Sequence, residues 1–156
     1  MTMTPATCTP GSTSSAPRHK VFIIEDDPLM AECIARALPC DAQIFPDAIS
    51  ATNALADGLP DLVLLDVLLN GPDGFTFLNE MISYSDTAKI PVILVTSLRL
   101  AEQNLAHYGI RAILNKDIMT PADIKNAVEN ALRDVVRPRT SALAAQSTSE
   151  KSRHAC

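Results

Sequence analysis

Four consecutive apolar residues, Leu62–Leu65, lie between Asp61 and Asp66. An apolar run of this length is typical of a strand buried on both faces, as in parallel sheets that helices cover. Ligands of such sheets bind outside the carboxyl ends of the strands. Asp66 is therefore predicted to present a carboxylate at the edge of a sheet. On this segment alone, a solvated strand-end acid or a cap of the following helix would explain it equally well.

Apolar segments of this kind alternate with helical patterns along the chain. The strands are predicted at 20–24, 43–45, 62–66, 91–95 and 112–114. The helices are predicted at 28–38, 48–56, 75–82 and 100–108, with a fifth that begins at Pro121 after the capping residue Thr120. Right-handed crossovers between successive strands turn this order into a doubly wound α/β fold, a five-stranded parallel sheet with five helices.

The length and composition of the chain are those of one globular domain with two tails. The chain has 156 residues, of which 47% are hydrophobic, and both ends are rich in Ser, Thr, Pro and Ala. We predict a disordered tail over 1–18, a domain over 19–136 and a second disordered tail over 137–156. The net charge of −5 argues against nucleic-acid binding, and no apolar run is long enough to span a membrane. The four cysteines form no CxxC pair, which favours a reducing cytoplasm.

Polar residues follow four of the predicted strands. Glu25 and Asp26 end the first, Asp66 the third, Thr96 the fourth and Lys116 the fifth. These ends meet at one edge of a parallel sheet, where three clustered acids favour a bound cation such as Mg²⁺, which prefers oxygen ligands. Asp66 could then act as a nucleophile toward phosphorus. Thr96 would offer a hydroxyl, and Lys116 a positive charge, to the phosphoryl oxygens.

These motifs together resemble the response-regulator receiver domain of two-component signalling, which has a flavodoxin-like fold. The resemblance covers residues 20–136 and rests on IIEDD, LVLLD, the pair Asp73-Gly74, VILVTS and ILNKD. It implies that Asp66 accepts a phosphoryl group from a phosphohistidine of a sensor histidine kinase or phosphotransfer protein. It also implies that Asp26, Asp66 and the backbone carbonyl of Leu68 ligate Mg²⁺, or alternatively Mn²⁺. Glu25 would act mainly through a metal-bound water.

The expected protein is a single-domain switch and not a metabolic enzyme. It would act through a downstream protein target or relay the phosphate, as a monomer or weak homodimer, without nucleic-acid or membrane partners. Two alternatives remain. A pseudo-receiver would bind proteins without phosphate control. A phosphatase with an aspartyl intermediate, of the haloacid-dehalogenase type, would need a DxD signature after the first strand, where this chain has EDD.

Three positions depart from the pattern of the family. Ile113 replaces an aromatic residue three positions before Lys116, and Asp117 replaces the Pro that often follows the lysine. Asn70 stands where a Pro is common, four residues after Asp66. We expect these differences to alter the readout of phosphorylation and to leave the metal site and the nucleophile untouched.

Overall fold

The structure is a computed structural model that describes residues 18–71, 73–100 and 105–146. Three parts of the predictions lie outside these residues. They are all but the last residue of the predicted N-terminal tail, the interior of the predicted fourth helix over 101–104, and the last ten residues of the chain.

Five parallel strands form one sheet. Their bounds are Lys20–Ile24 (β1), Asp41–Phe45 (β2), Leu62–Leu65 (β3), Val92–Thr96 (β4) and Ile110–Asn115 (β5). The spatial order is β2-β1-β3-β4-β5. The chain therefore adds β2 on one side of β1 and the later strands on the other side, so the strand order reverses between β1 and β3. This order is that of flavodoxin-like folds, in which ligands bind at the reversal. The predicted doubly wound parallel sheet is confirmed.

In the described ranges, four α-helices connect or follow the strands: Pro28–Ala37 (α1), Ala48–Asp57 (α2), Gly74–Ile82 (α3) and Pro121–Gln146 (α4). Aspartates cap the first three, because each of their carboxylates accepts hydrogen bonds from the exposed N–H groups of the first turn. Asp73, for example, accepts the N–H of Thr76 at 2.9 Å. Such caps set where each helix begins after its loop.

The sheet is packed between two apolar layers. Alternate residues of the central strands point to opposite sides, so that Val63 and Leu65 contribute to one cluster and Leu62 and Leu64 to the other. All four side chains of β3 are buried. The uninterrupted apolar run therefore reflects a strand covered on both faces, and this burial leaves Asp66 at the end of a rigid element.

Two elements differ from the sequence prediction. Within the segment predicted as the fourth helix, the described residues form a short 3-10 helix over Ala106–Tyr108. Helix α4 continues to Gln146, past Val136, where the domain was predicted to end. The segment Ser141–Gln146 consists largely of Ala, Leu and Gln, whose high helix propensity the compositional argument did not weigh.

None of the helices within 18–71, 73–100 and 105–146 has both the length and the apolar character needed to cross a lipid bilayer.

Candidate functional site

The register of the central strands places acidic residues side by side. Ile24 is paired with Leu65, so the next residues, Glu25 and Asp66, leave β1 and β3 at the same level. The N–H of Asp66 donates a hydrogen bond to the carbonyl of Ile24 at 2.9 Å, which extends the pairing by one residue. The sheet itself therefore positions the backbone of both acids.

Three carboxylates meet at this edge of the sheet. Glu25, Asp26 and Asp66 each offer one oxygen, and these oxygens lie within 4.8 Å of one another. Glu25 is 2% exposed and Asp66 is 4% exposed, whereas Asp26 is half-buried. Like charges at such distances repel one another strongly when they are shielded from water. The cluster therefore requires positive charge nearby.

Lys116 supplies one such charge from β5. Its Nζ lies 2.6 Å from Oδ2 of Asp66 and 2.6 Å from Oε2 of Glu25, and its side chain is mostly buried. The backbone N–H of Lys116 donates to the carbonyl of Thr96, which anchors the lysine to the end of β4. Three carboxylates and one ammonium group leave two negative charges, the number that one divalent cation neutralises.

Burial and pairing shift the pKa values of two of these groups. Burial raises the pKa of Glu25 above its ordinary value, although Lys116 and the N–H of Asp27 partly oppose the shift. Burial would lower the pKa of Lys116, but the close contacts with Asp66 and Glu25 and their negative charges outweigh it, so that the pKa is raised. Lys116 is therefore held in its charged form beside the acids.

The donor atoms of the cluster fit a hard divalent cation. All three side chains offer carboxylate oxygens, the ligands that Mg²⁺ and Mn²⁺ prefer. Within the described part of the chain, the buried Oε2 of Glu25 accepts no hydrogen bond of acceptable geometry, although Nζ of Lys116 lies close to it. A carboxylate oxygen has more than one lone pair, so Oε2 can pair with Lys116 and still accept from a water bound to a cation.

Leu68 and Thr96 lie beside the cluster and differ in their contacts. The N–H of Leu68 donates to Oδ1 of Asp66 at 2.9 Å, so this carboxylate closes a tight turn at the start of the loop after β3. Thr96 is fully buried, and its Oγ1 accepts the N–H of Leu98 at 3.2 Å. Across the described ranges, no hydrogen bond joins the Thr96 hydroxyl to the acids.

Asn70 corrects one of the expectations from sequence. Its Nδ2 donates to Oδ2 of Asp26 at 2.6 Å, across a separation of 44 residues. The expectation that this departure would leave the acid cluster untouched is therefore wrong. The loop after β3 brings Asn70 to the sheet edge. Asn70 is a polar residue only four positions after Asp66, and this closeness in sequence to a strand-end acid was the signal that could have pointed to it.

Among the described residues, the other two departures, Ile113 and Asp117, form no hydrogen bond with the carboxylates of the cluster. Ile113 is half-buried and packs against the apolar cluster on one side of the sheet. The carboxylate of Asp117 accepts the hydroxyl of Ser97 at 3.4 Å, and its N–H donates to Oδ1 of Asn115 at 2.8 Å. Asp117 therefore joins the loops after β4 and β5.

Residues 21–129, well over half of the chain, match the family of response regulator receiver domains. The chain belongs to this family. A receiver domain is a signalling module of two-component systems, and the sheet order and the strand-end acids described above are in keeping with this assignment.

Several known proteins are similar to this receiver domain. The DNA-binding dual master transcriptional regulator RpaA of Synechocystis sp. is 33% identical over 82 residues, which are 51% of this chain and 34% of RpaA. A CheY-like receiver domain protein of Methanospirillum hungatei superposes with a TM-score of 0.69 at 17% identity, over 78% of this chain and 98% of its own. The Mn(2+)-bound form of response regulator Rcp1 superposes with a TM-score of 0.59 at 20% identity, over 70% of this chain and 88% of its own.

Proposed function

We propose that this receiver domain accepts a phosphoryl group on Asp66 from a phosphohistidine of a sensor histidine kinase or histidine phosphotransfer protein. The transfer depends on Mg²⁺, with Mn²⁺ as a substitute. The modified protein then binds a downstream protein target or passes the phosphoryl group onward. It acts as a phosphorylation-dependent switch and not as a metabolic enzyme.

One observation carries the proposal. Nζ of Lys116 lies 2.6 Å from both Asp66 and Glu25, although the three residues follow three different strands. A structural ion pair needs one acid, whereas this lysine serves two buried acids beside a third, the half-buried Asp26. Such an arrangement suits a nucleophile that must approach a phosphoryl group without being repelled by it.

The transfer is a simple displacement at phosphorus. A carboxylate oxygen of Asp66 forms the new P–O bond, while the P–N bond to the donor imidazole breaks and its electron pair returns to the ring nitrogen. Lys116 would pair with an oxygen of the transferred group, and its 2.6 Å contact with Oδ2 of Asp66 supports this role. Oγ1 of Thr96 accepts the N–H of Leu98, so its own proton remains available for a second oxygen.

Glu25, Asp26 and Asp66, with the backbone carbonyl of Leu68, would hold the divalent ion. When bound, the ion neutralises charge on the phosphoryl oxygens. Oε2 of Glu25 is buried, and its partner among the described residues is the ammonium group of Lys116, which supports a role of Glu25 toward a metal-bound water and not as a direct ligand. The two uncompensated negative charges of the cluster support a divalent ion over a monovalent one.

The surface around Asp66 supports a protein as the phosphoryl donor. Large apolar side chains follow the carboxyl ends of four strands and are exposed: Leu29 by 73%, Leu68 by 53%, Leu98 by 39% and Ile118 by 79%. Large apolar side chains that are exposed together on one part of a surface mark sites of protein–protein contact. A small phosphodonor would not need them, whereas a helix that carries a phosphohistidine would cover them.

The remaining partners follow from charge and composition. The net charge of −5 supports protein partners over nucleic acid. Cys33 and Cys40 are free thiols, which suits the reducing cytoplasm. We assign no membrane partner and place the chain in the cytoplasm as a monomer or weak homodimer.

The test is modification of the purified chain by acetyl phosphate with Mg²⁺, read by intact-mass spectrometry. We expect one phosphoryl group on the wild-type chain, none on Asp66→Asn, and none after chelation of the metal. Asp57→Asn, an exposed aspartate at the end of α2, is the matched control and should be modified like the wild type.

Each outcome separates the candidate functions. No modification of the wild-type chain with acetyl phosphate or with any phosphorylated kinase would indicate a pseudo-receiver. Sustained release of phosphate from unrelated phosphate esters would indicate a phosphatase. Equal labelling with and without chelator would refute the role of the metal.

A further inference from the structure

Asn70 forms a link between the two loops that carry the acids. Its Nδ2 donates to Oδ2 of Asp26 at 2.6 Å, and it thereby ties the loop after β3 to the loop after β1. Asn70 is exposed and Asp26 is half-buried. A hydrogen bond this short to an ionised acceptor is of the stronger, charge-assisted kind.

The three acids are restrained in different ways. Asp66 is held by the N–H of Leu68 and by Lys116, and Glu25 by the N–H of Asp27 and by Lys116. For Asp26, the amide of Asn70 is the one side-chain contact among the hydrogen bonds and ion pairs of the described residues. Without it, the least buried acid of the cluster would be free to rotate.

The chemical type of the donor matters. A lysine or arginine at position 70 would also hold Asp26, but its charge would cancel part of the field that attracts a cation. A side-chain amide holds one carboxylate oxygen without adding charge and leaves the other oxygen available. Groups that orient a metal ligand in this way typically change metal affinity by 10- to 100-fold.

We propose that Asn70 is a positioning residue, which sets the affinity of the site for its divalent cation by fixing the carboxylate of Asp26. The inference rests on the proposed function, because it takes the acid cluster to be a cation site. Asn70 stands four residues after Asp66, where the family often has a Pro. Because Asn70 lies in the loop after β3, cation affinity would depend on the conformation of that loop.

The test is titration of the metal-free full-length chain with Mn²⁺, in which the signal of free Mn²⁺ is followed by electron paramagnetic resonance. Asn70→Ala should weaken Mn²⁺ binding by about 10-fold, with an unchanged midpoint of thermal unfolding in the absence of metal. Asn126→Ala, an exposed asparagine on α4, is the matched control and should bind like the wild type.

A double-mutant cycle shows whether the effect passes through Asp26. In the Asp26→Asn background, Asn70→Ala should cause little further loss of Mn²⁺ affinity, since the carboxylate to be positioned is gone. An equal 10-fold loss in both backgrounds would overturn the proposal, because Asn70 would then act through the loop in general.

The remaining outcomes are equally decisive. Unchanged affinity in Asn70→Ala would overturn the proposal. Tighter binding would also overturn it and would show that the amide competes with the cation for Asp26. If the wild-type chain binds no Mn²⁺, the cation site of the proposed function fails, and this inference fails with it. If the wild type binds and Asn70→Ala binds equally well, the proposed function stands and this inference alone fails.

Discussion

Nζ of Lys116 lies 2.6 Å from Oδ2 of Asp66, although 50 residues separate them in the sequence and β4 lies between their strands. The same Nζ also reaches Glu25, which follows β1. One side chain therefore crosses the sheet edge from β5 to β1 and holds together residues from three strands. The electrostatic balance of the site depends on it.

Loss of Lys116 should destabilise the metal-free protein. Lys116→Met leaves Glu25 and Asp66 buried without their counter-charge, and breaking a buried ion pair costs about 3–5 kcal/mol. We expect a loss of about 3 kcal/mol in the free energy of unfolding, partly restored by millimolar Mg²⁺. Urea denaturation with and without Mg²⁺ measures both effects. Lys89→Met, at an exposed position, is the control, and a variant as stable as the wild type would refute the prediction.

Gly74 should be intolerant of any side chain. A Cβ atom at this position would lie 2.5 Å from the carbonyl oxygen of Asp66 and 2.8 Å from Cα of Val67, both backbone atoms that cannot rotate away. Gly74→Ala should therefore push the start of α3 away from the end of β3, cost about 1–3 kcal/mol, and slow phosphorylation by acetyl phosphate.

Leu78→Ala separates this local effect from general loss of stability. Leu78 is fully buried on the same helix, and its truncation costs about 2–5 kcal/mol through the cavity it leaves. At a temperature where both variants are folded, Leu78→Ala should be phosphorylated like the wild type and Gly74→Ala more slowly. Equal rates for both would show that Gly74 has no specific effect on Asp66.

Ile118 should matter for protein donors and not for small ones. It is 79% exposed in the loop after β5, close in sequence to Lys116. A kinase that phosphorylates the wild-type chain is first identified from a panel of purified kinases. Ile118→Ser should slow phosphoryl transfer from this kinase by about 10-fold, which corresponds to the loss of one apolar contact. Labelling by acetyl phosphate should be unchanged.

Ile49→Ser is the matched control for that experiment, because Ile49 is 58% exposed but lies on α2. It should be phosphorylated like the wild type by both donors. If Ile118→Ser and Ile49→Ser behave alike with the kinase, the apolar side chains around Asp66 do not form the docking surface.

Asp123 should make stability depend on pH in the acid range. The N–H and the hydroxyl of Thr120 both donate to its Oδ2 at 2.8 Å, which lowers the pKa of Asp123 below its ordinary value. Asp123 therefore binds a proton more readily in the unfolded chain than in the folded one. The stabilisation of the fold by the ionised Asp123 is present above about pH 4 and is lost as the pH falls through the lowered pKa.

Chemical denaturation of the wild type and Asp123→Asn tests this sign. The wild type should be the more stable at pH 7, and the difference should shrink as the pH is lowered toward 3. Asp134→Asn, an exposed position on the same helix, controls for the loss of one negative charge. A difference that grows at low pH would contradict the assignment of Asp123 as part of the helix cap.

Local features of the sequence were enough to predict the five strands, the first three helices and the start of α4. The apolar runs of β1 and β3 mark buried strands, and Thr120 followed by Pro121 marks the start of α4, because both signals are patterns among neighbouring residues of the chain. The 3-10 helix at Ala106–Tyr108 was not predictable in the same way, since its three residues carry too little periodic signal.

The strand-end position of Glu25, Asp26, Asp66, Thr96 and Lys116 also follows from sequence, because parallel strands bring their carboxyl ends to one edge. Only the tertiary structure decided which of them touch. Lys116 reaches Asp66 and Glu25 across β4, and Asn70 reaches Asp26 across 44 residues. These contacts depend on strand order and loop conformation, which are set by packing between distant segments, and no local pattern of residue types records them.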